Sequence, residues 1–119
     1  MTTEARAAER SFSEDVEFLG KHQDVHVLKS ADGRARVALV AAYQGRVMTS
    51  TAGGEDGDSY GWINYEHVAS GKFVPHINVF GGEDRFWLGP EGGQFAIFFK
   101  GGDEFDLEHW QTPPLLDTQ

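Results

Sequence analysis

The sequence contains no cysteine, so disulfide bonds, thiolate metal sites and cysteine nucleophiles are excluded. Long apolar runs are also missing: residues 37–43 and 95–99 fall far short of the ~20 residues that a membrane helix requires. Basic side chains are few, with 10 Lys and Arg against 19 Asp and Glu and a formal net charge of -9. This charge repels phosphate backbones and anionic bilayers, so we expect neither nucleic acid nor a membrane as a partner.

The N-terminal segment MTTEARAAER lacks the two hallmarks of a secretory signal, an apolar central stretch and a cleavage site of small residues. We therefore expect a cytoplasmic protein. The segment has no large apolar side chain after Met1 to anchor it, and we predict a flexible arm over residues 1–11. The remaining residues, 12–119, have the size and the aromatic content of one β-rich domain.

The pattern of polar and apolar residues predicts one short helix, over residues 13–19. Ser11 and Ser13 are candidate N-caps, and Gly20 is a suitable end. A second helical turn is predicted within residues 60–70. In that turn we expect three apolar side chains to share one side: Trp62, Ile63 and Val68.

Alternating, β-branched segments predict strands over residues 25–29 and 34–40, joined by Asp32-Gly33 as a hairpin turn. A further strand is predicted over 45–51, and another, buried on much of both faces, over 94–100. Fifteen glycines in dense clusters are typical of turns in β architecture. The predicted fold class is mainly β, an antiparallel sandwich-like arrangement with one or two short helices.

The densest group of chemically active side chains lies in HINVFGGEDRFWLGPE, residues 76–91. Sugar recognition fits it well, because tryptophan covers the apolar faces of a hexose while carboxylate and guanidinium groups bind hydroxyls. The candidate contacts are Glu83, Arg85, Trp87 and Glu91. The structural alternative is a turn in which Arg85 pairs with Glu83 or Glu91 while the aromatic rings fill the core. The candidate stacking surfaces are Trp62, Trp87 and Trp110, each of which also suits a core.

Metal binding and acid–base catalysis are further alternatives. The spacing of Gly71, His76, Asn78, Glu83 and Gly89 is close to the first cupin motif, but Asn replaces its second histidine and no second motif follows. The sequence therefore predicts no metal and no other cofactor. The histidines that can titrate near neutrality and carry catalysis are His67, His76 and His109, and no spacing pairs any of them.

Three segments resemble the N-terminal part of a bacterial family of uncharacterised proteins, DUF6786. They are QGRVMTSTAGGEDGDSYGWIN (44–64), HINVFGGEDRFWLGPEGGQFAIFF (76–99) and FDLEHWQTPPLLDT (105–118). Members of the family resemble galactose mutarotase-like β-supersandwich proteins. The resemblance implies a carbohydrate-related role in which Arg85, next to Glu83 and Glu91, helps hold a sugar. It also implies an alternative, an aldose-epimerase-like enzyme with His76 or His109 as general acid.

The resemblance carries a structural expectation as well. A complete supersandwich takes well over twice this length, so the chain supplies its opening strands and leaves apolar surface uncovered. We therefore expect a homo-oligomer. The principal hypothesis is binding of neutral carbohydrate, and a self-assembly module without a small ligand is the third alternative.

Overall fold

The computed structural model describes residues 9–75, 77–86, 95, 96 and 98–111 of the chain. In this part of the chain, two α-helices and three strands occur together with two single 3₁₀ turns. In chain order they are α1 (Phe12–Gly20), β1 (His26–Lys29), β2 (Arg36–Val40), the 3₁₀ turn Ala41–Tyr43, β3 (Arg46–Thr51), α2 (Tyr65–Ser70) and the 3₁₀ turn Leu107–His109. A small, mainly β fold with short helices is therefore confirmed, whereas a second sheet facing the first stays a prediction.

Helix α1 forms where the sequence predicts it and starts one residue earlier. Ser11 is the N-cap, and its Oγ accepts a hydrogen bond from the Glu14 amide at 3.2 Å. Phe12 and Leu19 are buried, so the helix attaches to the sheet through its apolar face. Neither helix described here is long and apolar enough to cross a bilayer.

Strands β1, β2 and β3 form one antiparallel sheet in that order, as the predicted hairpin and third strand require. Gly33 takes a positive φ of 74° in the β1–β2 turn, which glycine adopts without strain. The Asp32 carboxylate stabilises the turn by accepting hydrogen bonds from the Arg34 amide at 3.0 Å and the Ser30 hydroxyl at 2.7 Å. A bulge between Ala38 and Leu39 shifts the register of β2 against β3.

Residues that follow the sheet return to cover the outer edge of β3. The Val47 amide donates to the Asp84 carbonyl at 2.8 Å, and the Glu83 amide donates to the Val47 carbonyl at 2.8 Å. Further along the same edge, the Tyr60 amide donates to the Ser50 carbonyl at 2.9 Å. Residues near 60 and residues near 83 are therefore both hydrogen-bonded to β3.

The core lies between α1, the sheet and α2. At its centre the rings of Tyr43 and Phe80 are stacked, with centroids 4.0 Å apart and an angle of 9° between planes. The buried cluster consists of Leu19, Val40, Tyr43, Met48, Ile63, Val68 and Phe80. Ile63 and Val68 both lie in this cluster, but only Val68 belongs to α2. The prediction that Trp62 shares their side is wrong, because the chain at residues 62–64 pairs with residues 79–82 and turns the indole outward.

The strand predicted over residues 94–100 is wrong for the residues described there, namely 95, 96 and 98–100. They lie in turns, bends and irregular chain, and the Phe95 side chain is 85% exposed. The physical reason is that no neighbouring strand is present to pair with this segment in the described part of the chain. Residues 94 and 97 lie outside the described residues.

The predicted N-terminal arm is described only in part, since residues 1–8 lie outside the described residues. At its end, the Ser59 amide donates to the Arg10 carbonyl at 3.1 Å, and the Arg10 guanidinium lies 3.8 Å from the centroid of the Tyr65 ring. Arg10 therefore packs against α2 through a cation–π contact.

Candidate functional site

Two large aromatic side chains are exposed on either side of a glycine that faces β3. The Gly61 amide donates to Thr49 Oγ1 at 3.0 Å, and a Cβ on Gly61 would collide with the Met48 carbonyl oxygen. Because position 61 points at β3, its two neighbours point away from it. Tyr60 is 60% exposed and Trp62 is 56% exposed. We call this pair the aromatic platform.

Two further glycines bring the segment that contains Glu83 and Asp84 alongside Trp62. Gly81 and Gly82 have φ values of 89° and 100°, which non-glycine residues rarely adopt. The Gly82 amide donates to the Trp62 carbonyl at 2.7 Å, and a Cβ on Gly81 would lie 3.0 Å from the indole Cε3. Glycine is therefore required here for the backbone to pass beneath the indole.

Glu83 places a carboxylate next to the platform. Its side chain is exposed, and its Oε2 accepts a hydrogen bond from the Ser50 hydroxyl at 3.0 Å. The carbonyl of Ser50 in turn accepts from the Tyr60 amide. Glu83 and Tyr60 are thus attached to the same residue of β3, and one carboxylate oxygen, Oε1, makes no hydrogen bond to a described residue.

Arg85 lies next along this segment and is half-buried, with its amide donating to Asp84 Oδ1 at 2.8 Å. It is close to Arg46, whose guanidinium donates to the Tyr43 carbonyl at 3.3 Å and the Gly81 carbonyl at 3.0 Å. Burial, and secondarily the charge of Arg85, lower the pKa of Arg46 to about 10. Arg46 therefore stays charged at neutral pH and holds Gly81 in place.

The predicted site is covered only in part by the described residues. Glu83 and Arg85 both lie on the segment beside β3; the Glu83 side chain accepts a hydrogen bond from Ser50, and the charge of Arg85 lies close enough to Arg46 to lower its pKa. Trp87, Glu91 and His76 lie outside the described residues. Sequence reasoning missed Tyr60 and Ser50. The Tyr-Gly-Trp triplet was the available signal, since a glycine between aromatics allows both rings to face outward.

A buried carboxylate on α1 is connected to the platform by hydrogen bonds. Asp15 is 4% exposed and accepts hydrogen bonds from the Ser59 hydroxyl and the Tyr65 hydroxyl, both at 2.5 Å. The Ser59 oxygen is also 2.5 Å from the Thr49 hydroxyl, which accepts from the Gly61 amide. This chain of bonds runs from α1 to the glycine between the two platform residues.

The direction of these bonds is set by Asp15. Because Ser59 gives its only hydroxyl proton to the carboxylate, Thr49 must donate to Ser59. Burial, and next the hydrogen bond to Asp15, raise the pKa of Tyr65, so its phenol remains a donor. The sequence does not predict this network, because an aspartate in the first turn of a helix is usually explained by the helix dipole alone.

The described candidates His67 and His109 make their side-chain hydrogen bonds to residues outside the platform. His109 Nδ1 lies 2.6 Å from Asp106 Oδ1, and the hydrogen bond to Asp106 raises the pKa of His109. His67 Nε2 lies 3.1 Å from Asn78 Oδ1. Both ends of the Asn78 amide are thus engaged within the protein, since its Nδ2 donates to the Val74 carbonyl. Among the described residues, no group of three His, Asp or Glu side chains is placed to hold a metal ion.

Trp110, the third candidate stacking surface, is half-buried rather than exposed. Its amide donates to the Leu107 carbonyl at 3.3 Å, closing the second 3₁₀ turn. Of the two candidate tryptophans that the structure describes, Trp62 is the more accessible one.

Comparison with known proteins gives one match. The sequence profile of DUF6786, a family of unknown function, matches residues 10–119. Comparison with curated proteins returns no match, and comparison with solved structures returns none either. Since the match spans nearly all of the 119 residues, the chain belongs to the DUF6786 family.

Proposed function

We propose that this protein binds neutral carbohydrate at the aromatic platform and the adjoining Glu83. The observation that supports the proposal is the exposure of Trp62 and Tyr60 beside a carboxylate oxygen that makes no hydrogen bond to a described residue. An indole or phenol ring matches the apolar face of a hexose, and a carboxylate accepts hydrogen bonds from two sugar hydroxyls. Beside the Glu83 carboxylate, a neutral ligand is favoured over an anionic one.

Hydrogen bonds fix the backbone of the platform in the absence of a ligand. The Gly61 amide donates to Thr49 Oγ1, the Gly82 amide donates to the Trp62 carbonyl, and the Asp15 network fixes residue 59. Such preorganisation lowers the entropy cost of binding. Arg85, Trp87 and Glu91 belong to the same proposal as further contacts, with Arg85 the nearest of them to Glu83 along the chain.

The test is a titration of the whole chain with galactose, glucose and short neutral oligosaccharides, followed by NMR and calorimetry. We expect saturable binding at millimolar sugar or below. Trp62→Ala is expected to weaken it about tenfold, as loss of one aromatic contact does. Phe105→Ala is the matched control, since Phe105 is 59% exposed and lies outside the platform.

Glu83→Gln examines the polar half of the site, because it keeps the shape and one acceptor but removes the charge. We expect a loss of affinity of about tenfold, the lower end of the value of one hydrogen bond to a charged group. Absence of binding by the wild-type chain at millimolar sugar, or equal losses in Trp62→Ala and Phe105→Ala, contradicts the proposal.

The aldose-epimerase-like alternative needs His109 or His76 as general acid next to the sugar. The pairing of His109 with Asp106 is the observation in its favour, because a carboxylate orients the ring and raises its pKa. Polarimetry decides: accelerated mutarotation that His109→Ala abolishes supports an enzyme, and an unaccelerated rate alongside sugar binding supports a binding protein.

Self-assembly without a small ligand is the remaining alternative, and a homo-oligomer is compatible with it and with sugar binding. Several apolar side chains other than the platform are about half exposed, among them Leu28, Val74, Ile77, Val79 and Phe86. Light scattering over a range of concentrations measures the mass. If the mass rises and Trp62→Ala prevents the rise, the platform is an interface between copies and sugar binding there is contradicted.

A further inference from the structure

Asn78 is a buried amide whose orientation is fixed by the backbone. It is 1% exposed, its Nδ2 donates to the Val74 carbonyl at 2.7 Å, and its Oδ1 accepts from the Val74 amide at 2.6 Å. Exchanging the oxygen and nitrogen would break both bonds, so the oxygen is the atom that faces His67.

The amide oxygen in turn fixes the tautomer of His67. His67 Nε2 lies 3.1 Å from Asn78 Oδ1, and an amide oxygen has no proton to give, so Nε2 must carry the hydrogen. The imidazole also packs against Phe80, with ring centroids 4.7 Å apart, which restricts its rotation. Nδ1 of the neutral ring is therefore left with a lone pair.

Nδ1 retains some exposure to solvent. It makes no hydrogen bond within the described part of the chain, and it is not among the buried polar atoms that lack a partner there. His67 lines an open depression of about 420 Å³ beside α2, which we call the α2 depression. Its lining residues are Asn64, Glu66, His67, Ser70, Lys72 and Val74.

Most of the other polar groups in the α2 depression are already bonded to backbone. Asn64 accepts from the His67 amide and donates to the Val79 carbonyl, and the Ser70 hydroxyl donates to the His67 carbonyl. Among the described lining residues, the groups left for a ligand are the His67 Nδ1 lone pair, the Lys72 ammonium and the Glu66 carboxylate. A ligand must therefore offer a hydrogen-bond donor to His67 and an anionic acceptor to Lys72.

We propose that the α2 depression is a second binding site, for a small polyhydroxylated carboxylate such as a sugar acid. The ligand carboxylate pairs with Lys72, one hydroxyl donates to His67 Nδ1, and another hydroxyl donates to Glu66. The volume of the depression holds a single such molecule. This site shares no residue with the aromatic platform and does not depend on carbohydrate binding there.

The first experiment measures the tautomer in the free protein by ¹⁵N NMR of the imidazole near neutral pH. We expect the neutral His67 ring to carry its proton on Nε2. A neutral ring with its proton on Nδ1 overturns the proposal, because it removes the acceptor from the α2 depression.

The second experiment titrates the whole chain with D-glucuronate, with D-glucose as the probe without a carboxylate and acetate as the probe without hydroxyls. We expect amide shifts of residues 64–74 to saturate with glucuronate and both partial probes to bind at least about fivefold more weakly there. Equal binding of acetate and glucuronate, or glucuronate shifts confined to residues 60–62 and 83, overturns the proposal.

Lys72→Gln and His67→Gln identify the contacts. Lys72→Gln should remove the preference for glucuronate over glucose, whereas Lys100→Gln, a change of another exposed lysine, should not. His67→Gln should weaken glucuronate binding about fivefold. If this variant does not fold, Lys72→Gln, which changes an exposed side chain, still tests the proposal. Unchanged affinity in Lys72→Gln overturns the proposal. Competition by a neutral sugar at a concentration that shifts only residues 60–62 and 83 places glucuronate on the platform, which overturns this inference and leaves the proposed function standing.

Discussion

The described residues between 9 and 86 and those between 98 and 111 are both rich in aromatic side chains, yet only the first region contains aromatic rings that are fully buried. Phe12, Tyr43 and Phe80 are almost completely enclosed between helices and sheet. Phe105 is 59% exposed, and its ring meets only that of Phe99 among the ring contacts described here, at 5.2 Å between centroids. Apolar character alone therefore does not decide burial, because a ring also needs an opposing surface.

The hydrogen bonds of the two regions differ in the same way. In the first region they join distant residues, such as Tyr65 to Asp15 and Phe12 to Gly57. In the second region the described backbone bonds mostly join residues two or three apart, and the bond from the Gln111 amide to the Phe98 carbonyl spans farthest. Among the described residues, the hydrogen bonds that join distant segments are therefore concentrated in the first region.

Matched phenylalanine deletions give the largest expected contrast between the regions. Phe80→Ala removes a ring stacked on Tyr43 and should lower the free energy of unfolding by about 4 kcal/mol. Phe105→Ala should change it by less than about 0.5 kcal/mol. Urea denaturation followed by circular dichroism measures both, and losses of similar size would show that the second region is equally well packed.

Removal of a buried carboxylate should have the next largest effect. Asp15→Ala leaves the hydroxyls of Ser59 and Tyr65 without their acceptor and should cost about 3 kcal/mol. Asp106→Ala removes an exposed carboxylate that caps the second 3₁₀ turn and should cost at most about 1 kcal/mol. The same denaturation assay applies, and a cost below 1 kcal/mol for Asp15 would contradict the importance assigned to the network.

A pair of glycine substitutions compares how tightly the backbone is packed in the two regions. Gly61→Ala forces a methyl group against the Met48 carbonyl and should cost about 2 kcal/mol. Gly101→Ala meets no atom within 4 Å of the new methyl group and should be close to neutral. Gly61→Ala should also weaken sugar binding, because it moves the platform away from β3; unchanged stability would mean that residues 60–62 do not pack on the strand.

The smallest effect concerns the pH dependence of the exposed pair in the second region. Asp106 raises the pKa of His109, and the hydrogen bond from His109 lowers the pKa of Asp106. The contribution of the pair is therefore lost as pH rises through the folded pKa of His109, and also as pH falls through the folded pKa of Asp106. NMR titration should show the pKa of His109 falling in Asp106→Asn, and an unchanged value would mean that the pair does not form in solution.

Sequence reasoning predicted local elements well where the chemistry is local. Ser11 caps α1, and Asp32-Gly33 forms the turn of the β1–β2 hairpin, because each depends on residues within a few positions. It placed Trp62 on one side with Ile63 and Val68, and residues 94–100 in a strand; both predictions fail for the described residues, because each outcome depends on what packs against the segment. Glu83 and Arg85 were proposed as contacts from their crowding near glycines, but Tyr60 and Ser50 were not, since pairing along β3 brings them to Glu83.

The amino-acid order by itself determined the helix cap, the hairpin turn, the absence of thiol chemistry and the acidic charge. Tertiary structure alone decided that Asp15 is buried as an acceptor, that the Trp62 indole faces outward and that His67 carries its proton on Nε2. The reason is physical: exposure, tautomer and hydrogen-bond direction are properties of pairs of groups. Pairs such as Asp15 with Tyr65 and His67 with Asn78 come together only when distant segments pack on the same sheet.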